Sequence, residues 1–273
     1  MADNDVTYRK EASALEPTEL AALRDAYQKM MAFSATDNRS WMYWAGFHGF
    51  PNWYCWHHSR IGMGPEEPVN LFLPWHRAYL LYLEHVARDQ NENAAIPWWD
   101  WTSEQSHQIG VPEAFSSEMV NGDPNPLFRG PVPPMQGDPA RETFRFPGPP
   151  DALPTEDEIS DLLELSSFTD FCRQLEDVHD RIHGWTGGIN PDPPPFSGDM
   201  GTVATAAYDP IFYSHHCMID RIWYLWQVQH GINNIPREYL DLPLRPFNLK
   251  VSYVLNIQQL GYAYTVSEVS VVV

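Results

Sequence analysis

Hydrophobic positions recur at helical spacing along much of the chain. In residues 18–31, the side chains of Leu20, Leu23, Tyr27 and Met30 fall on one face of a helix. An apolar stripe of this kind is typical of a helix that packs against a core. The pattern therefore predicts a helix over 18–31 with one buried face.

Proline-rich segments separate four more stretches that favour helices. These predicted helices cover residues 39–49, 73–90, 157–185 and 209–230. At the start of the last one, Asp209 suits the N-cap and Pro210 the first helical position.

The dense prolines of 97–157 disfavour both helix and strand. Aromatic residues recur in this segment, which predicts an ordered loop wrapped around a single core. The tail from 248 onward is mixed and has a β-prone end. We therefore expect a mainly α-helical fold, a single domain over residues 1–273, with long Pro/Gly-rich loops and little β-structure.

Composition and charge favour some classes of function and argue against others. Hydrophobic residues make up 43% and aromatic residues 14% of the chain, enough for a large core with apolar walls that can receive a ring. The formal net charge of −19 repels phosphate backbones, so we expect no nucleic-acid partner. No apolar run reaches the ~18 residues of a membrane span.

Cysteine usage and the N-terminal residues bear on location. Three cysteines are too few, and odd in number, for a disulfide framework. The N-terminal residues lack the apolar core of a signal peptide, which predicts a cytoplasmic protein. Export together with a partner protein stays open.

Histidine spacing suggests a metal site. His179 and His183 are four residues apart on a predicted helix, so they project about 40° from one another and can hold one metal. His216, on the last predicted helix, is the natural third ligand. Asp220 follows it by one turn and is predicted to orient a ligand imidazole. His215 points about 100° away from His216, so it is not expected to share that metal and is expected to hydrogen-bond or line a pocket wall instead.

A second set of three imidazoles lies earlier in the chain. His48 ends a short predicted helix and His76 begins a longer one, while His57 and His58 lie between them. Either of this pair can complete the set. His85 faces the opposite side of the helix from His76 and is excluded.

Two sets of three neutral imidazoles indicate which metals the protein can bind. Imidazole suits copper and zinc, and copper binds such sites most tightly among the divalent ions. Three ligands leave each metal an open position, and two neighbouring copper ions can hold O₂ between them, a redox role that zinc lacks. A zinc hydrolase built on His179 and His183 is the alternative, but Asp180 stands where a zinc peptidase has glutamate.

Four segments resemble the tyrosinase and catechol oxidase family, the polyphenol oxidases. Its first copper signature is similar to "LFLPWHRAYLLYLE", which includes Arg77 and Glu84, and its second to "DPIFYSHHCMIDRIW". "IPWWDW" and "HDRIHGWTGG" resemble two further family segments. The resemblance spans roughly residues 40–230. It implies a four-helix core that holds a binuclear, type-3 copper centre.

The resemblance also implies a ligand set. One copper would be held by His48, His57 and His76, and the other by His179, His183 and His216. The family usually places its middle ligand nine residues before the histidine of its WHR motif, where this chain has Glu67. Several members join a cysteine to the histidine two residues on by a thioether. Cys55 and His57 have that spacing, which favours His57 over His58 as the ligand.

The implied activity is copper-dependent oxidation of phenols by O₂, which converts o-diphenols to o-quinones. Family members that also hydroxylate monophenols often carry asparagine after the first histidine of the paired helix, where this chain has Asp180. Glu176 fits the glutamate that acts beside that asparagine, so Glu176 and Asp180 are the expected proton-handling residues. Monophenol hydroxylation is the doubtful part of the prediction.

Three alternatives and one accessory partner complete these expectations. The alternatives are a catechol oxidase, an o-aminophenol oxidase, both without monophenolase activity, and, more remotely, a hemocyanin-like O₂ carrier. The chain ends about 43 residues after His230, too few for the C-terminal domain that shields the site in many members. The expectation is an open site or one covered by a separate partner, with a copper-loading partner as a further expectation.

Overall fold

A computed structural model describes residues 6–57, 70–135 and 137–265. Helices dominate these ranges, which confirms the mainly α-helical prediction. The helices are α1 (Pro17–Ala32), α2 (Trp41–His48), α3 (Phe72–Gln90), α4 (Glu104–Ile109), α5 (Glu113–Ser116), α6 (Glu156–Leu163), α7 (Phe168–Gly187) and α8 (Ile211–His230).

The strands are two or three residues long and form three two-stranded pairs in the described ranges. The pairs are β1 (Thr7–Arg9) with β6 (Tyr262–Tyr264), β2 (Met119–Val120) with β3 (Asp123–Pro124), and β4 (Pro131–Val132) with β5 (Arg141–Glu142). Only the first pair is parallel, and it joins residues far apart in the sequence.

The periodic stretches fold nearly as predicted, with one correction. The helix expected over 157–185 is two helices, α6 and α7, because the chain leaves helical geometry between them. Ser167 starts the second, since its side-chain oxygen accepts the Asp170 N–H at 3.3 Å. Asp209 behaves much as expected, accepting the Ile211 N–H at 3.2 Å, although α8 begins one residue after Pro210.

The proline-rich segment 97–157 covers the helical core. It contains α4, α5 and two of the short strand pairs. Trp98, Trp99, Trp101 and Phe115 are fully buried in the same hydrophobic cluster as the long helices. The segment therefore contributes side chains to the core that carries the site.

A buried network of charges ties the ends of the described chain to α3 and α8. Arg9 of β1 donates to Glu84 on α3 at 2.9 Å and lies 3.3 Å from Asp220 on α8. Arg77 donates to the other oxygen of Asp220 at 2.5 Å. The two arginines and two carboxylates balance in charge, which a buried network requires.

Candidate metal centre

The described structure brings the six predicted ligands together. Four are fully buried, while His57 and His183 are partly buried. They are His48 at the end of α2, His57 in the segment after it, His76 on α3, His179 and His183 on α7, and His216 on α8. The elements that carry them match the resemblance, in which helices surround a metal pair.

The first three histidines lie close together. His48 Nε2 lies 3.1 Å from His57 Nε2. The rings of His48 and His76 have centroids 5.5 Å apart, and those of His57 and His76 are 5.4 Å apart. His76 Nε2 is buried and has no hydrogen-bond partner among the described residues. A buried nitrogen in that condition is a suitable metal donor.

The second three have the spacing that a metal needs. His216 Nε2 lies 3.3 Å from His179 Nε2 and 3.4 Å from His183 Nε2. Two nitrogens bound about 2.0–2.1 Å from a tetrahedral metal are separated by about 3.3–3.4 Å. The observed distances therefore fit a copper ion without rearrangement of His179, His183 and His216.

Backbone carbonyl groups fix the outer nitrogens of three rings. Nδ1–H donates from His48 to Val203 O at 3.3 Å and from His183 to Met200 O at 2.7 Å. His76 Nδ1–H donates to the carbonyl of its own helix, at Phe72, at 2.9 Å. These bonds set the tautomer and leave each Nε2 lone pair for a metal.

Glycines permit the close approach of the loop that supplies these carbonyls. A Cβ on Gly49 would lie 2.3 Å from Val203 O, and one on Gly187 would lie 2.2 Å from the backbone nitrogen of Gly201. Real Cβ contacts do not become so short. The two glycines therefore bring segment 198–204 within reach of His48 and His183.

The two sets are neighbours. The rings of His76 and His216 are stacked, with centroids 4.2 Å apart and an angle of 10° between their planes. Nitrogens of His48, His76 and His216 all lie within 4.8 Å of one another. Two metals held by these sets would share one cavity.

Burial keeps the imidazoles neutral. It lowers the pKa of His48, His76, His179 and His216 well below the usual value, and neighbouring histidines add to the effect. Burial lowers the pKa of His183 to about 4. At neutral pH each of these five rings therefore has a lone pair for a metal rather than a proton.

A cavity of about 250 Å³ leads from the surface to this cluster. His48, His57, His179 and His183 form its inner wall. Its other walls include the exposed residues Asp180, Gly184 and Val203 and the buried residues Met200 and Ala206. A cavity that reaches such a cluster is a candidate binding site for a small molecule.

The two predicted proton-handling residues differ in surroundings. Glu176 is fully buried, with Oε1 3.7 Å from His57 Nδ1 and Oε2 accepting from Asn70 Nδ2 at 3.0 Å. Asp180 lies at the cavity mouth with its side chain about half exposed, and accepts from His179 Nδ1 at 2.9 Å. Sequence reasoning missed Asn70, because no pattern in the sequence shows a contact between residues 106 positions apart.

Cys55 lies close to His57. Its sulfur and a ring nitrogen each of His48 and His57 lie within 4.8 Å of one another. The thioether stays a prediction. The alternative ligand His58, and Glu67 with it, lie outside the described residues.

The expectation for Asp220 is corrected. Its carboxylate accepts from Arg77, from Tyr262 at 2.7 Å and from Tyr264 at 2.5 Å, rather than from an imidazole. The Nδ1 of His216 has no hydrogen-bond partner among the described residues. Asp220 projects from the helix towards the β1–β6 side, where two arginines attract it more strongly than a neutral ring.

His215 is closer to the cluster than its helical direction suggests. Its ring stacks on that of His179, with centroids 5.1 Å apart and a 19° interplanar angle, and lies 4.9 Å from the ring of His183. The side chain is fully buried, and neither ring nitrogen has a hydrogen-bond partner among the described residues. The expected hydrogen bond is therefore not found.

Comparison with known proteins identifies the family. A family model described as the common central domain of tyrosinase matches residues 38–229. The chain belongs to the tyrosinase family. This finding confirms the resemblance seen in the sequence, and members of this type-3 copper family, hemocyanins included, bind two copper ions.

Hemocyanins are among the sequence relatives of this chain. Hemocyanin units G and H of Sepia officinalis are 28% identical over 90% of this chain and 43% of the relative. A-type hemocyanin units of Enteroctopus dofleini are 29% identical over 93% of this chain and 21% of the relative. This chain therefore spans less than half the length of either protein.

Solved structures show the same fold. An octopus hemocyanin functional unit has 26% identity and a TM-score of 0.73, and the match covers 94% of this chain and 68% of that one. A tyrosinase from Burkholderia thailandensis has 23% identity and a TM-score of 0.79, with 97% and 74% covered.

The protein is thus a type-3 copper protein with two copper ions as its cofactor. The donor set fits this cofactor, since buried neutral imidazoles with metal-like nitrogen spacings surround one cavity. The assignment of the six histidines as its ligands stays a prediction, which this geometry supports.

None of the described helices is long and apolar enough to cross a membrane.

Proposed function

We propose that the protein oxidises o-diphenols to o-quinones with O₂. The observation that carries the proposal is the surface cavity, which reaches the imidazole cluster between Asp180, Gly184 and Val203. An oxidase needs such an entrance for an aromatic substrate, whereas a carrier needs to admit only O₂. The copper pair, when bound, supplies the O₂ binding and the two-electron redox capacity.

The cavity walls suit a phenolic ring. Apolar surface is contributed by Met200, Val203 and Ala206. The imidazole ring of His183 offers a flat face against which an aromatic ring can stack. Gly184 leaves open space beside that ring, because a Cβ there would meet nothing within 4 Å. A diphenol that enters along these walls presents its oxygens to the metal-facing Nε2 side of the imidazole cluster.

Two carboxylates near the imidazoles are the proposed acceptors of the protons that the diphenol releases. Asp180 lies at the mouth in contact with both His179 and solvent, while Glu176 is buried beside His57 and would act through that ring. Proton transfer from the substrate to Asp180 leads directly to bulk water. Hydroxylation of monophenols is the finer part of this proposal, and rests on the same two residues.

The experiment compares oxidation of catechol, L-DOPA and tyramine by the copper-loaded protein. We expect quinone formation from both diphenols, with monophenol turnover slower. Gly184→Phe, which fills the entrance without removing a predicted ligand, should raise KM for diphenols and leave the copper content unchanged. Gly184→Ala is the matched control and should keep the wild-type KM.

An O₂ carrier is the second candidate, and the identity to hemocyanin units favours it. The copper-loaded protein used for the oxidation assays also tests the carrier function. Reversible O₂ binding in copper-loaded protein, with no turnover of any diphenol, would replace the oxidase proposal with this one.

A further inference from the structure

His215 is a buried imidazole that the six-ligand assignment leaves unused. Both of its ring nitrogens are inaccessible to solvent and lack a hydrogen-bond partner among the described residues. A buried polar group without a partner costs free energy, so such a group calls for an explanation. Most buried ring nitrogens of this kind are paired with a polar group, a water molecule or a metal.

The surroundings of His215 point to a metal. One nitrogen each of His179, His183, His215 and His216 lies within 4.8 Å of the other three. Ligands about 2.0–2.1 Å from one metal can be as far as about 4 Å apart. A displacement of less than about 1 Å therefore brings the fourth nitrogen into bonding range.

The first set has no unassigned imidazole beside it in the described ranges. The further donors grouped with His48, His57 or His76 are the sulfur of Cys55, a carboxylate oxygen of Asp180, and one nitrogen each of His179 and His216, which already belong to the second set. Among the described residues, an imidazole that the six-ligand assignment leaves unused therefore lies beside the second set alone. Copper entering an empty chain meets more imidazole on the α7–α8 side.

We infer that His215 is a fourth imidazole donor, which holds the first copper ion to enter together with His179, His183 and His216. The second ion then completes the pair at His48, His57 and His76. His215 serves loading rather than phenol oxidation, so the inference rests on the copper pair and not on the proposed activity.

The test uses the full chain, stripped of metal and titrated with less than one equivalent of Cu(II). Electron paramagnetic resonance counts the nitrogens coupled to the bound ion. We expect four in the wild-type protein and three in His215→Phe. The affinity for the first ion should fall by at least about tenfold in the variant, because losing even an outer partner of a metal ligand costs about 10–100-fold.

Control variants separate this role from alternatives. His76→Phe removes a first-set donor and should leave the spectrum of the half-loaded protein unchanged. His85→Phe, a change at an exposed position on α3, should leave both spectrum and affinity unchanged. If His76→Phe instead removes a coupled nitrogen from the first ion, the inferred loading order is wrong.

Thermal unfolding gives a second readout, because the substitution should affect the metal-free and the copper-loaded protein differently. Removing two unpaired nitrogens should leave the metal-free His215→Phe at least as heat-stable as the wild type, while the gain in Tm on adding copper should shrink. His215→Leu provides the same test should the larger phenyl ring prevent folding. A half-loaded variant with the wild-type spectrum and affinity would show that His215 is a wall residue and overturn the inference.

Discussion

Asn70 holds Glu176 in position. Its Nδ2 donates to Glu176 Oε2 at 3.0 Å, while its Oδ1 accepts the Phe72 N–H at 2.8 Å at the start of α3. One side chain thus connects the helix that carries His76 with a carboxylate on α7. Because the bond occupies one oxygen of Glu176, the other is left facing His57.

Asn70→Asp should lower kcat for phenol oxidation by at least about tenfold, a part of the roughly 100–10,000-fold that a positioned acid–base group contributes. The substituted carboxylate repels Glu176 but still accepts the Phe72 N–H. Steady-state kinetics should show KM nearly unchanged, and copper analysis two ions per chain. Full kcat in this variant would contradict the positioning role and leave Asn70 with a capping role at the start of α3.

Gly49→Ala should weaken the first copper set. The added Cβ must displace the carbonyl of Val203, which accepts from His48, and such overpacking costs about 1–3 kcal/mol of stability. After dialysis, copper content should fall towards one ion per chain. Gly201→Ala is the control, since its Cβ would meet the nearest atoms at 3.9 Å. Equal copper retention in both variants would contradict the role of the glycine.

Asp220→Asn should destabilise the protein by about 3–5 kcal/mol, because Arg9 and Arg77 would be left buried with excess positive charge. Burial alone would raise the pKa of Asp220, but Arg77 and Arg9 outweigh it and hold the pKa below its usual value. A lowered pKa gives stability that is present above about pH 4 and lost as pH falls through the folded-state value.

Urea unfolding at several pH values measures both effects. The wild type should lose stability below about pH 4, and Asp220→Asn should lose less of it there. Asp241→Asn removes an exposed partner of Lys250 and is the control, with its free energy of unfolding expected to stay nearly unchanged. Wild-type stability in Asp220→Asn at neutral pH would contradict the network's role.

The proximity of Cys55 to His57 predicts a thioether in copper-loaded, oxidised protein. Intact mass should then be lower than the sequence mass by about two hydrogens. Cys55→Ala should abolish the deficit, while Cys172→Ala, at a buried position on α7, should retain it. Ready alkylation of Cys55 in active protein would count against the link.

The sequence predicted what depends on local spacing. Helical periodicity located most helices, and the four-residue separation of His179 and His183 placed both on one face. The break between α6 and α7 was not predicted, because the hydrophobic positions on either side of residues 164–167 fit one continuous helix pattern. The resemblance, rather than spacing, brought His48 and His216 to one centre.

Contacts between distant segments were beyond sequence reasoning. The rotation of His215 away from His216 on α8 predicted that the two would not share a metal, yet the rings of His179 and His183 lie beside His215. The position of α7 across from His215 was not derivable from α8 alone. Asp220 was expected to reach an imidazole because its only known neighbours were those on its own helix. Arg9, more than 200 residues away, decides where that carboxylate points.

The parallel pairing of β1 with β6 has a consequence for biosynthesis. Arg9 leaves the ribosome early, but Tyr262 and Tyr264, which pack around its guanidinium and share Asp220 with it, are made more than 250 residues later. Asp220, on the helix that carries His216, therefore obtains its two tyrosine hydroxyl donors only after residues 262–264 have been made. Contacts of such long sequence separation form slowly, so the newly made polypeptide passes through a stage in which its imidazoles are in place on their helices but do not yet form one rigid centre.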